Sequence, residues 1–362
     1  MAETVTRLHT PETHGSWAHR DPAELGLDGA KLAEAIAWAS AHETDFGPDI
    51  PTELASDPIN DHPDNDIVGP TKARTGVNGV VIKDGYVVAA WGDYNRVDMT
   101  FSVAKSYLST MAGLAWDRGM LPDLDAPVWE LVPDEVFESE RNRKITWRML
   151  LQQTSEWEGV LWGKRDLADR RKGRDRTLNE PGTFWEYNDV RVNLLAYALL
   201  KIWREPLPRV LRREIMNPIG ASPTWEWHGY DTSWTTVDGS RMQSVSGGGH
   251  WGGGVWASSL DHVRFGQLFS AGGRWGDRQI ISSEWLAQMV EPCPLNQSYG
   301  FMWWVNQNRE LHPSAPATSY FALGKGANII WIDPELRLTS VVRWIDRDAY
   351  DGFCERLLAA VR

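Results

Sequence analysis

The sequence predicts an α+β fold, in which one antiparallel sheet is assembled from both ends of the chain, flanked by helices, with a mainly helical block inserted between its strands. Three observations lead there. Strand-like runs occupy residues 76–95 and then recur only after residue 298. Between about 120 and 245 the pattern changes to helical periodicity and long loops. Apolar helical patterns stand near both ends of the chain, where they can cover the sheet.

Taken in order, residues 1–20 read as an irregular lead-in, and "DPAELGLDGAKLAEAIAWASAH" then reads as an amphipathic helix with Asp28 as N-cap. A polar, Pro-rich loop follows. "GVNGVVIKDGYVVAAWGDYN", 76–95, holds two β-rich runs around Lys83-Asp84-Gly85, which is a hairpin signal. "MTFSVAKSYLSTMAG", 99–113, comes directly afterwards. There Val103, Tyr107, Met111 and Leu114 recur at helical spacing, no proline or glycine interrupts 102–112, and Gly119 stands where the pattern ends. "ITWRMLLQQT" and "VRVNLLAYALLKIW" are helices of the middle block. Strands return in "YGFMWWVNQ" (299–307), "SYFALGKGANIIWIDP" (319–334) and "LRLTSVVRWID" (336–346), and "AYDGFCERLLAAVR" closes the chain as a helix. The implied division is a sheet-bearing domain from 1–120 and 245–362, a helical insertion over 121–244, and a site in the cleft between them.

A chain of 362 residues can bury a large core. Its net charge of −12 argues against a nucleic-acid partner, and the acidity is dispersed apart from "DPINDHPDND" at 57–66. No apolar run approaches the roughly 18 residues that span a bilayer, and the start lacks a basic region followed by an apolar core. The expectation is a cytoplasmic protein with no membrane partner. The two cysteines, Cys293 and Cys354, show no metal-ligand spacing, and the nine histidines are scattered, so no metal and no cofactor are expected. Tryptophan is abundant, with 21 copies. Trp185, Trp251, Trp256, Trp303 and Trp304 could line an apolar substrate cleft, although packing in the core is the commoner use of such rings.

Three segments carry chemistry. Ser102 and Lys105, three apart, share one face of a helix. Ser102 falls in its first turn, where the dipole and the unpaired N–H groups favour the negative charge of an alkoxide or oxyanion. The simpler alternative is a capping serine and a lysine that extends to water. In the second segment, "PGTFWEYNDVRVNLLAYALL", a Pro-Gly turn delivers Tyr187 and Asp189 to the mouth of an apolar helix. A phenol set near a lysine ammonium is a candidate base. In the third, "FALGKGANIIWIDP", Gly324 and Gly326 in a strand mark close approach by a backbone or a ligand, or else a plain bulge.

Together these segments resemble the serine β-lactamase and penicillin-binding-protein superfamily, whose motifs run S-x-x-K, then Y-x-N or S-x-N, then K-T-G or a variant. The likeness is nearest to the class C β-lactamase-like branch of esterases, D-aminopeptidases, acyltransferases and 6-aminohexanoate-dimer hydrolases. "ITWRMLLQQTSEWEG" and "GGGVWASSLDHVRFGQLFSAGGRWGDRQIIS" are similar to stretches of that branch. The resemblance implies a β-lactamase/transpeptidase-like fold, with Ser102 as acylated nucleophile, Lys105 as base or proton relay, and Tyr187 passing the proton to the leaving group. It further implies an oxyanion hole from the backbone N–H groups of Ser102 and Lys325. Substrate contacts are expected from Asp189, Gly324, Gly326, Trp185 and Trp251.

Two positions depart from the pattern. Asp189 stands where the family has Asn, and could pair with Lys105 or receive a substrate ammonium. Ala322-Leu323-Gly324 stands in place of K-T-G, which weakens recognition of a β-lactam carboxylate, although Lys325 one step later could compensate. The expected function is therefore a serine hydrolase of a small amide or ester acting through an acyl-enzyme, as a monomer or homodimer. The alternatives are an acyltransferase of the same fold, a weak β-lactamase or D-peptidase, and a binding module without turnover.

Overall fold

The computed structural model describes residues 8–11, 17–57 and 63–362. The expected lead-in over 1–20 and the acidic stretch 57–66 therefore lie partly outside the described residues. Helix α1 (Gly29–Ala41) starts at the expected cap, with Asp28 Oδ1 accepting the Ala30 and Lys31 N–H groups at 3.0 and 3.3 Å. Strands β1 (Asn78–Lys83) and β2 (Tyr86–Trp91) form the expected hairpin. Asp84 and Gly85 turn it with φ of 54° and 87°, the left-handed pair that matches the twist of the flanking strands.

The C-terminal part supplies β3 (Trp304–Val305), β4 (Tyr320–Gly324), β5 (Asn328–Asp333) and β6 (Leu338–Arg343). The six strands make one antiparallel sheet in the order β3-β4-β5-β6-β1-β2. Both ends of the chain thus meet where β1 pairs β6, with Val80 opposite Val341. Alternate residues serve opposite faces. Val81, Ile329, Trp331 and Val342 join the core of α1 and the final helix, while Val80, Ile82, Ile330, Ile332 and Val341 join the larger core on the other side. Burial on both faces explains why these strands read as continuous apolar runs.

Two expected strands differ. The run 299–307 is strand only at Trp304–Val305, because the backbone turns at Met302 (φ 60°) and the Phe301 and Met302 N–H groups bond to Met289 and Leu151 instead. The run 319–334 is two strands joined by a turn over 325–327, where Gly326 and Ala327 both have positive φ. Gly326 therefore belongs to a turn and not to a strand interior.

Helix α2 (Val103–Asp117) is buried at every residue from Val103 to Ala115, so it is a core helix rather than an amphipathic surface one. It packs against α3 (Asp189–Trp203) and β4. Helix α4 (Ser259–Ser270) lies against β1, β5 and β6, and α5 (Tyr350–Ala360) packs on α1. Residues 121–244 include α3 and short helices at Trp147–Leu151 and Leu207–Leu211, but also two small hairpins and the strand Glu226–His228. That strand pairs with Gly254–Ala257, which pairs in turn with Asp98–Met99 just ahead of Ser102. No helix among the described residues is long and apolar enough to cross a membrane.

Candidate active site

The approach to α2 is strained. Phe101, immediately before Ser102, has φ of 48°, a left-handed conformation that costs a non-glycine residue on the order of 1–3 kcal/mol. Its buried ring is held edge-on between Phe46 and Trp344, which offsets that cost. Ser102 then occupies the N-cap position without capping, since its side chain accepts no helix N–H. Instead Lys105 Nζ donates to Ser102 Oγ at 2.7 Å. Lys105 is 1% exposed, so it does not extend to water. Neither part of the simpler alternative describes this pair.

Lys105 Nζ also donates to Asp189 Oδ1 at 2.6 Å, and Asp189 is equally buried. Burial pulls the Lys105 ammonium down, but the Asp189 carboxylate and the Tyr187 oxygen outweigh it, and the net direction is up from the ordinary lysine value. For Asp189, burial pushes the carboxyl up and is outweighed chiefly by Lys105, so the net direction is down. The two groups stay ionised together. Asp189 Oδ2 has no hydrogen-bond partner among the described residues and packs on Gly248. A Cβ added to Gly248 would lie 2.0 Å from that oxygen and 2.4 Å from Lys105 Nζ.

Asp189 is placed by the start of α3. Asn188 Oδ1 accepts the Arg191 N–H at 3.1 Å, capping the helix, and the Asp189 N–H donates to Asp169 Oδ2 at 2.7 Å. Tyr187, just outside the helix, lies with its ring centroid 4.6 Å from Lys105 Nζ. Its ring is half-buried among Trp304, Tyr299 and Trp185, at centroid distances of 5.7, 6.1 and 6.3 Å. The three expected catalytic side chains are thus brought together, with Ser102 partly open to solvent.

The third segment arrives from β4. A Cβ at Gly324 would lie 2.2 Å from the Thr100 carbonyl oxygen, so the end of this strand abuts the backbone leading to Ser102. Lys325 follows at once. Among the described residues, neither the Ser102 N–H nor the Lys325 N–H has an acceptor. The Lys325 side chain is turned to Asp57, with which it pairs. Gly326 abuts the Trp344 ring.

Several expected contacts are corrected. Trp251 is 1% exposed and packs against Tyr230 and His250, so it is core and not cleft wall. Trp256 and Trp303 are buried likewise, whereas Trp185 and Trp304 remain half-buried beside Tyr187. Asp189 is enclosed with Lys105 and does not present itself to a substrate ammonium. The sequence reading missed Asp169, Arg171, Gly248 and Tyr299. The dense charges of "RDLADRRKGRDR", 165–176, were the available signal for the first two, and the glycines around "SGGGHWGGG" for the third.

The geometry can be set beside known proteins. A profile of the beta-lactamase family matches residues 64–348. The chain belongs to the beta-lactamase family. Within this family, a curated "Putative D-alanyl-D-alanine carboxypeptidase" of Salmonella enteritidis PT4 is 22% identical over 196 residues, covering 45% of this chain and 45% of that one. The chain therefore spans less than half the length of the curated relatives it matches. Among solved structures, a "Putative 6-aminohexanoate-dimer hydrolase from Bacillus anthracis" superposes with TM-score 0.61 at 14% identity, over 98% of this chain and 91% of the other. A penicillin-binding-protein homologue from Caulobacter crescentus gives 0.63 at 13%, over 95% and 99%. EstCE1, a hydrolase with promiscuous acyltransferase activity, gives 0.60 at 16%, over 91% and 99%. These likenesses establish the β-lactamase-like fold, in a family whose structural neighbours include hydrolases.

Proposed function

We propose that the protein is a serine hydrolase that cleaves a small amide or ester through an acyl-enzyme. One observation supports this most: Lys105 Nζ bridges Ser102 Oγ and the Asp189 carboxylate at 2.7 and 2.6 Å, with the Tyr187 ring against it. A capping serine and a solvated lysine would show none of these contacts.

In this reading Ser102 Oγ attacks the carbonyl carbon, and its proton passes to the Tyr187 oxygen. Lys105 enters as an ammonium, because Asp189 holds its proton in place. It therefore orients Ser102 and supports negative charge on Tyr187, and Tyr187 is the base. The oxyanion meets the N–H groups of Ser102 and Lys325, for which no acceptor stands among the described residues. As the carbon–leaving-group bond breaks, Tyr187 gives its proton to the departing amine or alcohol. Water then attacks the acyl-enzyme, losing a proton to Tyr187, and Ser102 recovers one as the acid departs.

β-Lactams are poor substrates in this account, since the third motif lacks its lysine and Lys325 is paired with Asp57. An added alcohol or amine competes with water for the same acyl group, so acyl transfer accompanies hydrolysis. The test uses two esters of one acid with different leaving groups, each turned over in the presence of methanol. A common acyl-enzyme requires the same ratio of methyl ester to free acid from both. Ratios that follow the leaving group would overturn the proposal.

A further inference from the structure

Outside the residues already assigned, Arg171 holds a position that its own ion pair does not explain. It comes from the 165–176 segment and donates from Nε and Nη2 to the two oxygens of Asp169, at 2.9 and 3.2 Å. Asp169 is fully buried, and its Oδ2 also accepts the Asp189 N–H at 2.7 Å. One carboxylate therefore registers both Asp189, which holds Lys105, and Arg171. Neutralising Asp169 would need only a cation somewhere beside it. Yet the guanidinium is set over the Tyr187 ring, with Cζ 4.9 Å from the centroid, and Lys105 Nζ lies 4.6 Å from the same centroid. Two cations thus share one ring, each held there by its own carboxylate, so negative charge developing on the Tyr187 oxygen is met by both.

Resting on the acyl-enzyme reading, we propose that Arg171 is a positioning residue, which fixes Tyr187 against Lys105 and sets a second positive charge over the ring whose oxygen becomes negative when Tyr187 gives up its proton. Among the described residues, the charged and titratable groups around Tyr187 come from several elements. Lys105 comes from α2, Asp189 from the start of α3, Asp169 and Arg171 from the 165–176 segment, His250 from the glycine-rich loop and Tyr299 from the segment before β3. Lys172 lies over the neighbouring Trp185, 5.0 Å from its centroid. Burial leaves His250 below its ordinary value and thus neutral near pH 7. The two carboxylates are hydrogen-bonded to the two cations. Removing the Arg171 charge therefore leaves Lys105 as the one cation on the Tyr187 ring, with Asp169 uncompensated nearby.

The test compares wild type with Arg171→Met, Arg171→Gln and Arg171→Lys, using a neutral activated ester. In both uncharged variants the acid limb of the kcat/KM profile should move to higher pH by about one unit, a roughly tenfold loss below the limb. KM should stay within about twofold, and Arg171→Lys should recover most of the loss. Ultraviolet difference titration at 295 nm, with Tyr187→Phe as the reference, reads the same shift without turnover. It separates failure of this inference from failure of the acyl-enzyme reading, which Ser102→Ala reports. An unmoved limb and an unmoved titration would overturn the assignment, as would a KM increase confined to anionic esters, which would make Arg171 a substrate contact. Arg171→Gln can still hydrogen-bond to Asp169, so it answers if the Met variant fails to fold.

Discussion

Asp189→Asn removes one half of the buried pair while nearly preserving shape. At 2.6 Å, an effective dielectric of about 20 gives an attraction of about 6 kcal/mol. The desolvation of two ions cancels much of that, so the pair itself adds little net stability. Removing one partner is different, because Lys105 is then buried without a counter-charge at contact, and such losses cost about 3–5 kcal/mol. The pH dependence follows from the direction of the shifts. In wild type the folded-state value of Lys105 is raised, so its contribution is present below 10.5 and lost only as pH rises through the folded value. In the variant the carboxylate that chiefly outweighs burial is gone, so the folded-state value should fall below 10.5. Between that lowered value and 10.5 the unfolded chain binds more protons, and stability rises with pH by up to about 1.4 kcal/mol per unit. Urea denaturation of both proteins from pH 6 to 10 should therefore show a deficit of several kcal/mol that narrows as pH rises. A deficit under about 1 kcal/mol, or one independent of pH, would refute the reasoning. The same variant should lower kcat/KM alike for amine-bearing and neutral substrates of one size, since Asp189 faces Lys105.

Other predictions follow from the same contacts. Gly248→Ala places a methyl group 2.0 Å from Asp189 Oδ2, so overpacking of about 1–3 kcal/mol should appear in denaturation together with at least a tenfold fall in acylation rate. Trp251→Ala should cost about 3–5 kcal/mol of stability, whereas Trp185→Ala should cost much less and raise KM instead; equal stability losses would place both rings in the core. Glu156 is held down at about 2, as Arg176 and Arg191 outweigh the opposing effect of burial. Its contribution is present above 4.5 and lost as pH falls toward about 2, so the advantage of wild type over Glu156→Gln, about 2 kcal/mol at pH 7 after allowing for solvent screening, should vanish in thermal melts across that window.

The fold was legible where pattern and period agree. The continuous apolar runs of β1, β5 and β6, the Asp28 cap and the Lys83-Asp84-Gly85 turn are local signals, and the structure reproduces them. The 299–307 run was misread because buried aromatic residues look alike in a strand and in a packed turn. Of the site, the spacing of Ser102 and Lys105 and the turn before Tyr187 were visible, because each depends on a few neighbouring residues. Asp169, Arg171 and Gly248 were not. Their meaning depends on packing between separate segments, with Asp169 and Arg171 set against Asp189 and Tyr187 and Gly248 against Asp189 and Lys105, and a buried network of charges looks in sequence like an exposed one. Trp251 failed for a related reason: ring count does not tell which side of a loop faces the core.

Everything in the mechanism depends on Ser102 carrying the acyl group. Intact-mass spectrometry after exposure to an activated ester, followed by peptide mapping, tests it most directly. One acyl adduct should appear on the peptide bearing Ser102 in wild type and none in Ser102→Ala, whose turnover should be lower by several orders of magnitude. An adduct on another residue, or a folded Ser102→Ala protein that keeps more than a small fraction of turnover, would contradict it.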